Sequence, residues 1–389
     1  MNLPSKLPDV GTSIFTVMSQ LAANHDAINL GQGFPDFNPD QKLLDLVTEA
    51  MRNGHNQYPQ MAGIEPLRDV ISSKINSIYN CLYDSQSEIT ITSGATEAIM
   101  VAVMATVHDG DEVIVIEPNY DSYIPAIRLA KGVPVSVAMT APKHHEDTFK
   151  INWDAVNLAI TKKTKMIMLN FPHNPTGAVL SEDDLDQLEA IVSKSDLILL
   201  SDEVYEHIVF TPNGHRSLSS RPKLAERAFV ISSFGKTTHT TGWKVGYCCA
   251  PKEMTLEFRK IHQFIVFTVP SPFQHALAKY SSDPSTYNKL SIFYKSKRDR
   301  LVSGLESTRF RTYACPGTFF LLADYKEISD MPESEFSIWL TKEHGVTVIP
   351  ISAFYSTPNS TVSNHQLVRF CFAKQDVTLD SAIDRLRAV

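Results

Sequence analysis

The sequence predicts an α/β fold, with a large domain around a mainly parallel, buried central sheet and a smaller α+β domain beside it. Three observations carry this. Short β-branched runs alternate with helical stretches, the runs falling at residues 89–92, 113–117, 133–137, 166–170, 197–202, 229–232 and 245–249. Several runs are apolar at successive positions, as in parallel strands covered by helices on both faces. The chain of 389 residues, 43% hydrophobic, holds more core than one small domain needs.

Taken in order, residues 1–40 show little periodicity beyond a short helix near 15–24 and the turn-rich GQGFPDF stretch. They are expected to form an N-terminal arm packed on the small domain. Residues 41–282 contain the alternating runs and form the large domain. In residues 283–389 the pattern changes to a long charged helix at 290–305, paired short strands around 315–322, another helix, and strands at 346–349 and 367–372. That is the smaller α+β domain. The charged run from Lys295 to Arg300 reads as an exposed helix face.

Composition narrows the function. A net charge of −7 gives no basic field for nucleic acid. Five cysteines without C-x-x-C spacing suggest neither a disulfide framework nor a zinc site, which suits a reducing compartment. Adjacent Cys248 and Cys249 read as packing residues of a buried strand. No signal-peptide core or membrane-length apolar run is present, so a cytoplasmic protein without a membrane partner is expected. His144, His145, Glu146 and Asp147 lie in a polar loop lacking ligand spacing, and no metal is expected.

The strongest chemical signal is SSFGKTTHTTGWKVGY, which puts Lys236 just past a strand ending at Ser233. Ligands of open α/β sheets bind beyond the carboxyl ends of the strands, and a lysine desolvated there can act as a nucleophile toward a carbonyl. Alone, such a lysine is more often a solvated loop residue. Asp202, in LILLSDEVYEHIVF, ends an apolar strand and needs a cationic partner, either a protonated pyridine ring or a structural ion pair or cap. Ser93 to Ala98, SGATEA, opens a helix after a strand, so its backbone amides can face an anion or simply cap the helix. No G-x-G-x-x-G or Walker-type motif supports a nucleotide. Asn174, in NFPHNPTGAVL, lies in an ordinary turn signal. The order of these motifs, each at a strand's carboxyl end, is what makes them informative together.

Over essentially the whole chain this set resembles the class I and II aminotransferases, the fold-type I enzymes dependent on pyridoxal 5′-phosphate (PLP). The phrases NLGQGFPDF, PHNPTG and GWKVGY look most like the methionine and kynurenine (glutamine transaminase K) aminotransferase branch. The resemblance implies that Lys236 carries the cofactor and later shuttles the proton, that Asp202 pairs with the ring nitrogen, and that Asn174 and Tyr205 bind the ring hydroxyl. It implies a phosphate site from Ser93, Gly94, Ala95 and Thr96 with Ser233 and Lys244, and stacking by Tyr120. Lys244 stands where the family usually has arginine, keeping the charge without the fork geometry. Tyr58 would reach the partner subunit's phosphate, implying a homodimer with shared sites. Arg369, in LVRFCFAK, would clamp the substrate α-carboxylate, with Asn174 and Gly33 offering contacts and Phe15 and Phe34 near the side chain.

The expected reaction is transamination between a hydrophobic, sulfur-containing or aromatic L-amino acid (methionine, phenylalanine, kynurenine, with glutamine included) and a 2-oxo acid. The segment IHQFIVFTVPSPF offers Phe264 and Phe267 as an apolar lining where a dicarboxylate donor would need a second cation. A cysteine-conjugate β-lyase on the same fold is the nearest rival, since the cofactor serves both reactions. A non-catalytic, aminotransferase-like regulator would need a DNA-binding segment or a damaged site, and the sequence shows neither.

Overall fold

The structure is a computed structural model describing residues 3–357 and 363–389. The Ile14–Asn24 helix begins where the Ser13 hydroxyl accepts from the Thr16 amide, and strand β1 (Ile28–Asn29) follows. The Gln41–Arg52 and Glu65–Tyr79 helices lead into the central sheet. Its strands are β2 (Ile89–Thr92), β3 (Glu112–Glu117), β4 (Val133–Ala138), β5 (Thr164–Asn170), β6 (Ile198–Asp202), β7 (Ala228–Ser233) and β8 (Gly246–Cys249), in the order β2-β8-β7-β6-β5-β3-β4.

All seven expected runs are strands of this one sheet. Strands β3 to β7 pair in parallel, while β8 is antiparallel to both its neighbours, β2 and β7. The continuous apolar runs explain the interior: β2 and β8 are buried at every position, and β5, β6 and β7 nearly so. Val113, Met166, Leu200 and Phe229 pack into one cluster, and Ile114, Ile167, Leu199 and Ala228 into another. Successive side chains thus feed opposite faces of the sheet. Strand β4 is one of the two edge strands, and Val133 there is exposed. Cys248 and Cys249 are buried.

Beyond the Leu290–Leu305 helix lie β9 (Arg311–Thr312), β10 (Phe320–Asp324), β11 (Val346–Thr347), β12 (Ile349–Pro350) and β13 (Leu367–Cys371). They correct two expectations. The strands near residues 315–322 flank that segment: Gly317 is pressed against Val179 and Pro172, where an added Cβ would lie 2.8 and 2.9 Å from their side chains, and β10 starts only at Phe320. The run at 346–349 divides between two sheets. Strand β11 pairs in parallel with β1, Ile28 opposite Val346, whereas β12 joins the sheet ordered β12-β13-β10-β9. The charged run 295–300 is also less uniform than expected. Lys297 is buried, its ammonium 5.4 Å from the Phe37 ring centroid and 2.9 Å from Asp376 Oδ1.

Strands β2, β5, β6 and β7 end on one edge of the sheet at Thr92, Asn170, Asp202 and Ser233. A crevice at such an edge is where open α/β sheets bind ligands.

Candidate active site

A cavity of about 300 Å³ occupies that edge. Lys236 enters it from the one-turn helix Phe234–Thr237 that follows β7, where the Ser233 hydroxyl accepts from the Gly235 amide. Its Nζ donates to the Gly33 carbonyl at 3.1 Å and stands 5.6 Å from the centroid of the Tyr205 ring. Desolvation brings the amine down to about 8, with the positive charges of Arg369 and Lys244 adding to the shift.

Asp202 is buried at the end of β6. Burial pushes its carboxyl up to about 6, against a hydrogen bond from Tyr123 Oη at 2.7 Å, one from the Val204 amide at 3.3 Å and the charge of Lys236. Asn170 donates to the Asp202 carbonyl at 3.0 Å and accepts from the Asn174 amide at 3.0 Å, so the β5 and β6 ends and the Asn174 turn are held as one unit.

An anion-binding end is built from the start of the Gly94–Thr106 helix, with Gly94, Ala95, Thr96, Ser233, Thr241 and Lys244 all lining the cavity. First-turn amides and the helix dipole favour an anion there. Gly94 suits its backbone, whose φ is +71°, and a Cβ on it would lie 3.2 Å from Lys244 Nζ. Ser93 is the residue before the helix and does not line the cavity; its amide donates to Glu97.

Arg369 forms the opposite wall, buried on β13. Nη1 donates to Asn174 Oδ1 at 2.6 Å and Nη2 to the Gly31 carbonyl at 2.8 Å, while Nε has no protein partner among the described residues. The guanidinium carbon lies 3.8 Å from the Phe320 ring centroid and 5.3 Å from that of Phe15. Burial lowers its pKa to about 10, which leaves it charged at neutral pH.

The fold thus gathers Lys236, Asp202, Asn174, Tyr205, Tyr120, Ser233, Lys244, Arg369, Gly94, Ala95, Thr96, Gly33, Phe15 and Phe34 around one cavity. Tyr58 stands apart, 84% exposed, edge-on to Phe267. The expected lining by Phe264 and Phe267 is wrong for this chain's own cavity. The Lys252–Ile265 helix buries Thr255, Phe258 and His262, which turns Phe264 outward to 87% exposure, and Phe267 is also exposed. The apolar wall comes instead from Phe15, Phe34, Ile99 and Phe320. Sequence reasoning missed Gln32, although it lies within the NLGQGFPDF phrase, and Phe320, for which no motif gave a signal. It also missed Tyr123, three residues past Tyr120.

A nucleophilic amine, a carboxylate and an anion cradle at separate points of one cavity fit PLP, each meeting a different part of it. When bound, PLP supplies a protonated ring that draws electrons from the substrate α-carbon. Asp202 would hold that ring's nitrogen, and the cradle its phosphate. Lys236, a free amine above its lowered pKa, can accept a proton inside the cavity and return it.

Fold and site together define a PLP-dependent α/β enzyme. The chain matches the family described as aminotransferase class I and II over residues 25–386. It is 45% identical to the methionine aminotransferase of Escherichia coli, covering 98% of this chain and 97% of that protein. It is 39% identical to a probable N-succinyldiaminopimelate aminotransferase of Mycobacterium tuberculosis, with the same shares covered. A crystal structure from E. coli that identifies a methionine aminotransferase function superposes with a TM-score of 0.96, at 44% identity and 100% of both chains. The protein belongs to the class I and II aminotransferases and is a PLP-dependent aminotransferase.

Proposed function

We propose that this enzyme transfers the α-amino group of a hydrophobic, sulfur-containing or aromatic L-amino acid, such as methionine or phenylalanine, to a 2-oxo acid. The observation that carries this is the charge content of the cavity wall. Its cations are Lys236, Lys244 and Arg369, and the cofactor uses the first two. Arg369 is left for the α-carboxylate, which its planar fork suits. The side chain then faces Phe15, Phe34, Ile99 and Phe320, where a second carboxylate would be buried unpaired at a cost of several kcal/mol.

In this reading Lys236 carries the cofactor and moves the proton, Asp202 holds the ring nitrogen, and Asn174 and Tyr205 meet the ring hydroxyl. Tyr120 stacks on the ring, and Gly33 offers the substrate a backbone contact. The enzyme works as a homodimer, in which exposed Tyr58 reaches the phosphate of the partner subunit, and it acts in the cytoplasm. Five free cysteines support a reducing compartment, and among the described residues no helix is long and apolar enough to cross a membrane.

The test compares kcat/KM for methionine, phenylalanine, kynurenine, glutamine, aspartate and N-succinyldiaminopimelate with one common 2-oxo acid. Methionine and the aromatic donors should exceed aspartate and N-succinyldiaminopimelate, which carry extra carboxylates, by at least about tenfold. Either of those two matching the best apolar donor would overturn the substrate class and leave the enzyme class intact.

A further inference from the structure

Four successive carbonyls between the N-terminal helix and the large domain each meet a cation. Gly31 accepts from Arg369 at 2.8 Å and Gly33 from Lys236 at 3.1 Å. The intervening Gln32 and the next residue, Phe34, both accept from Lys374, at 3.4 and 2.8 Å. Alternate peptides therefore face the site and Lys374. Lys374 is itself 3% exposed, three residues past the end of β13, and its ammonium also lies 4.9 Å from the Phe34 ring centroid. Nearby, Asp36 accepts from the amide of Gln375 and from Thr378 Oγ1, and Gln375 Nε2 donates to the Asp36 carbonyl. Gly33 is pressed so closely to Phe320 that a Cβ would lie 2.7 Å from its ring.

We propose that Lys374 is a positioning residue for the substrate α-carboxylate. By binding the Gln32 and Phe34 carbonyls from outside the cavity, it fixes the rotation of the Gly31 and Gly33 peptides. Their orientation against Arg369 and Lys236 then sets the seat into which the carboxylate settles. Lys374 does not line the cavity and touches none of the reacting groups. Removing its ammonium leaves the half-buried Gln32 and Phe34 carbonyls without that donor, and turning toward water to regain one rotates the intervening Gly33 peptide. The inference rests on the reading of Arg369 as the carboxylate seat.

Lys374→Met should raise KM for methionine and for the 2-oxo acid at least about tenfold while changing kcat less than about threefold, the pattern of lost binding rather than lost chemistry. The dissociation constant of 3-phenylpropanoate, a carboxylate with no amino group to react, should rise by the same factor. PLP retention should match the wild type, because the phosphate cradle is built from other elements. Lys374→Arg, which can donate to both carbonyls, should restore KM to within about threefold. Unchanged KM and unchanged 3-phenylpropanoate binding would overturn the proposal, as would a loss confined to kcat or to melting temperature. Should Lys374→Met fail to fold, exposed Asp36→Ala loosens the same segment: a raised KM there supports the proposal and an unchanged one overturns it. Arg369→Lys is measured in parallel. If it leaves KM unchanged, the carboxylate reading itself fails, whereas a raised KM there with none at Lys374 removes only the role of Lys374.

Discussion

Burial moves the two central titrating groups of the site toward each other on the pH scale, Lys236 down to about 8 and Asp202 up to about 6. For Lys236 the sign is fixed by which form reacts: only the neutral amine attacks the cofactor's aldehyde. With a value near 8, about one-tenth of the amine is neutral at pH 7 and about nine-tenths at pH 9. The rate at which cofactor-free enzyme takes up PLP covalently should therefore climb about tenfold from pH 6 to 7 and level off above 8. Absorbance growth after mixing measures it, and a flat profile across that range would contradict the lowered value. The same shift has a stability consequence for the cofactor-free chain. Between about 8 and the ordinary 10.5 the unfolded state binds more protons, so stability rises with pH across that window. Asp202 was legible in the sequence because it ends an apolar strand with a group that burial penalises, and Lys236 because its motif follows the others in order, each at a strand's carboxyl end. Tyr123 was not. A tyrosine on a helix is normally core, and only the fold shows its hydroxyl 2.7 Å from Asp202.

Strand β8 does at the element scale what no single side chain does. Because it runs against β7, the turn before it places Lys244, at φ +54°, beside Gly94 at the start of the cradle helix. The approach is tight. A Cβ at Gly246 would lie 2.7 Å from the Ser232 carbonyl oxygen, 2.9 Å from Gly94 C and 3.0 Å from the Ala95 amide nitrogen. These are backbone atoms that cannot rotate aside, so Gly246→Ala should displace the cradle amides and raise the PLP dissociation constant about tenfold or more, a loss of one charge-assisted hydrogen bond or greater. Equilibrium dialysis of PLP checks this, and retention equal to wild type would mean that the cradle tolerates the shift. The sequence disclosed β8 as a strand but not its direction, since an apolar run has the same pattern read either way. The two-residue strands β1 and β11 were hidden for another reason: two residues carry no periodicity. Phe264 misled because a phenylalanine near a motif looks like a pocket wall until helical phase shows which way it turns.

The whole molecule is braced beneath its site by an enclosed polar cluster. Glu206, just after the Asp202 strand, accepts from Lys74 at 2.6 Å, Ser232 at 2.7 Å, Tyr247 at 2.9 Å and Tyr79 at 3.2 Å. This ties the Glu65–Tyr79 helix to β7, β8 and the segment that follows β6. Burial alone would raise the Glu206 carboxyl, but the charges of Lys74 and His207 hold it well below its ordinary value of 4.5. A carboxylate depressed in this way contributes stability above its ordinary pKa, and that contribution fades as pH falls below it. Lys74→Met takes the nearest cation away from that buried carboxylate, and should cost about 3–5 kcal/mol at pH 7. The difference from wild type should shrink toward pH 3, where the variant's carboxyl is protonated. Urea unfolding at both pH values tests this, and a difference that is equal at the two would show that Glu206 is not the group responsible. The enclosed cluster gave no advance sign in the sequence, because its members are spread from Lys74 to Tyr247 and meet only in three dimensions. The pairing of β1 with β11 has a consequence for how the protein is made. Ile28 has no strand partner until Val346 has been synthesised, and Gly31 must wait still longer for Arg369. The cradle from Gly94 to Gly246 is complete about a hundred residues sooner, in a chain that emerges amino end first. On the ribosome the cofactor side of the enzyme can exist before the substrate side does, and Ile28 and Gly31, made before either, are among the last residues to find their place.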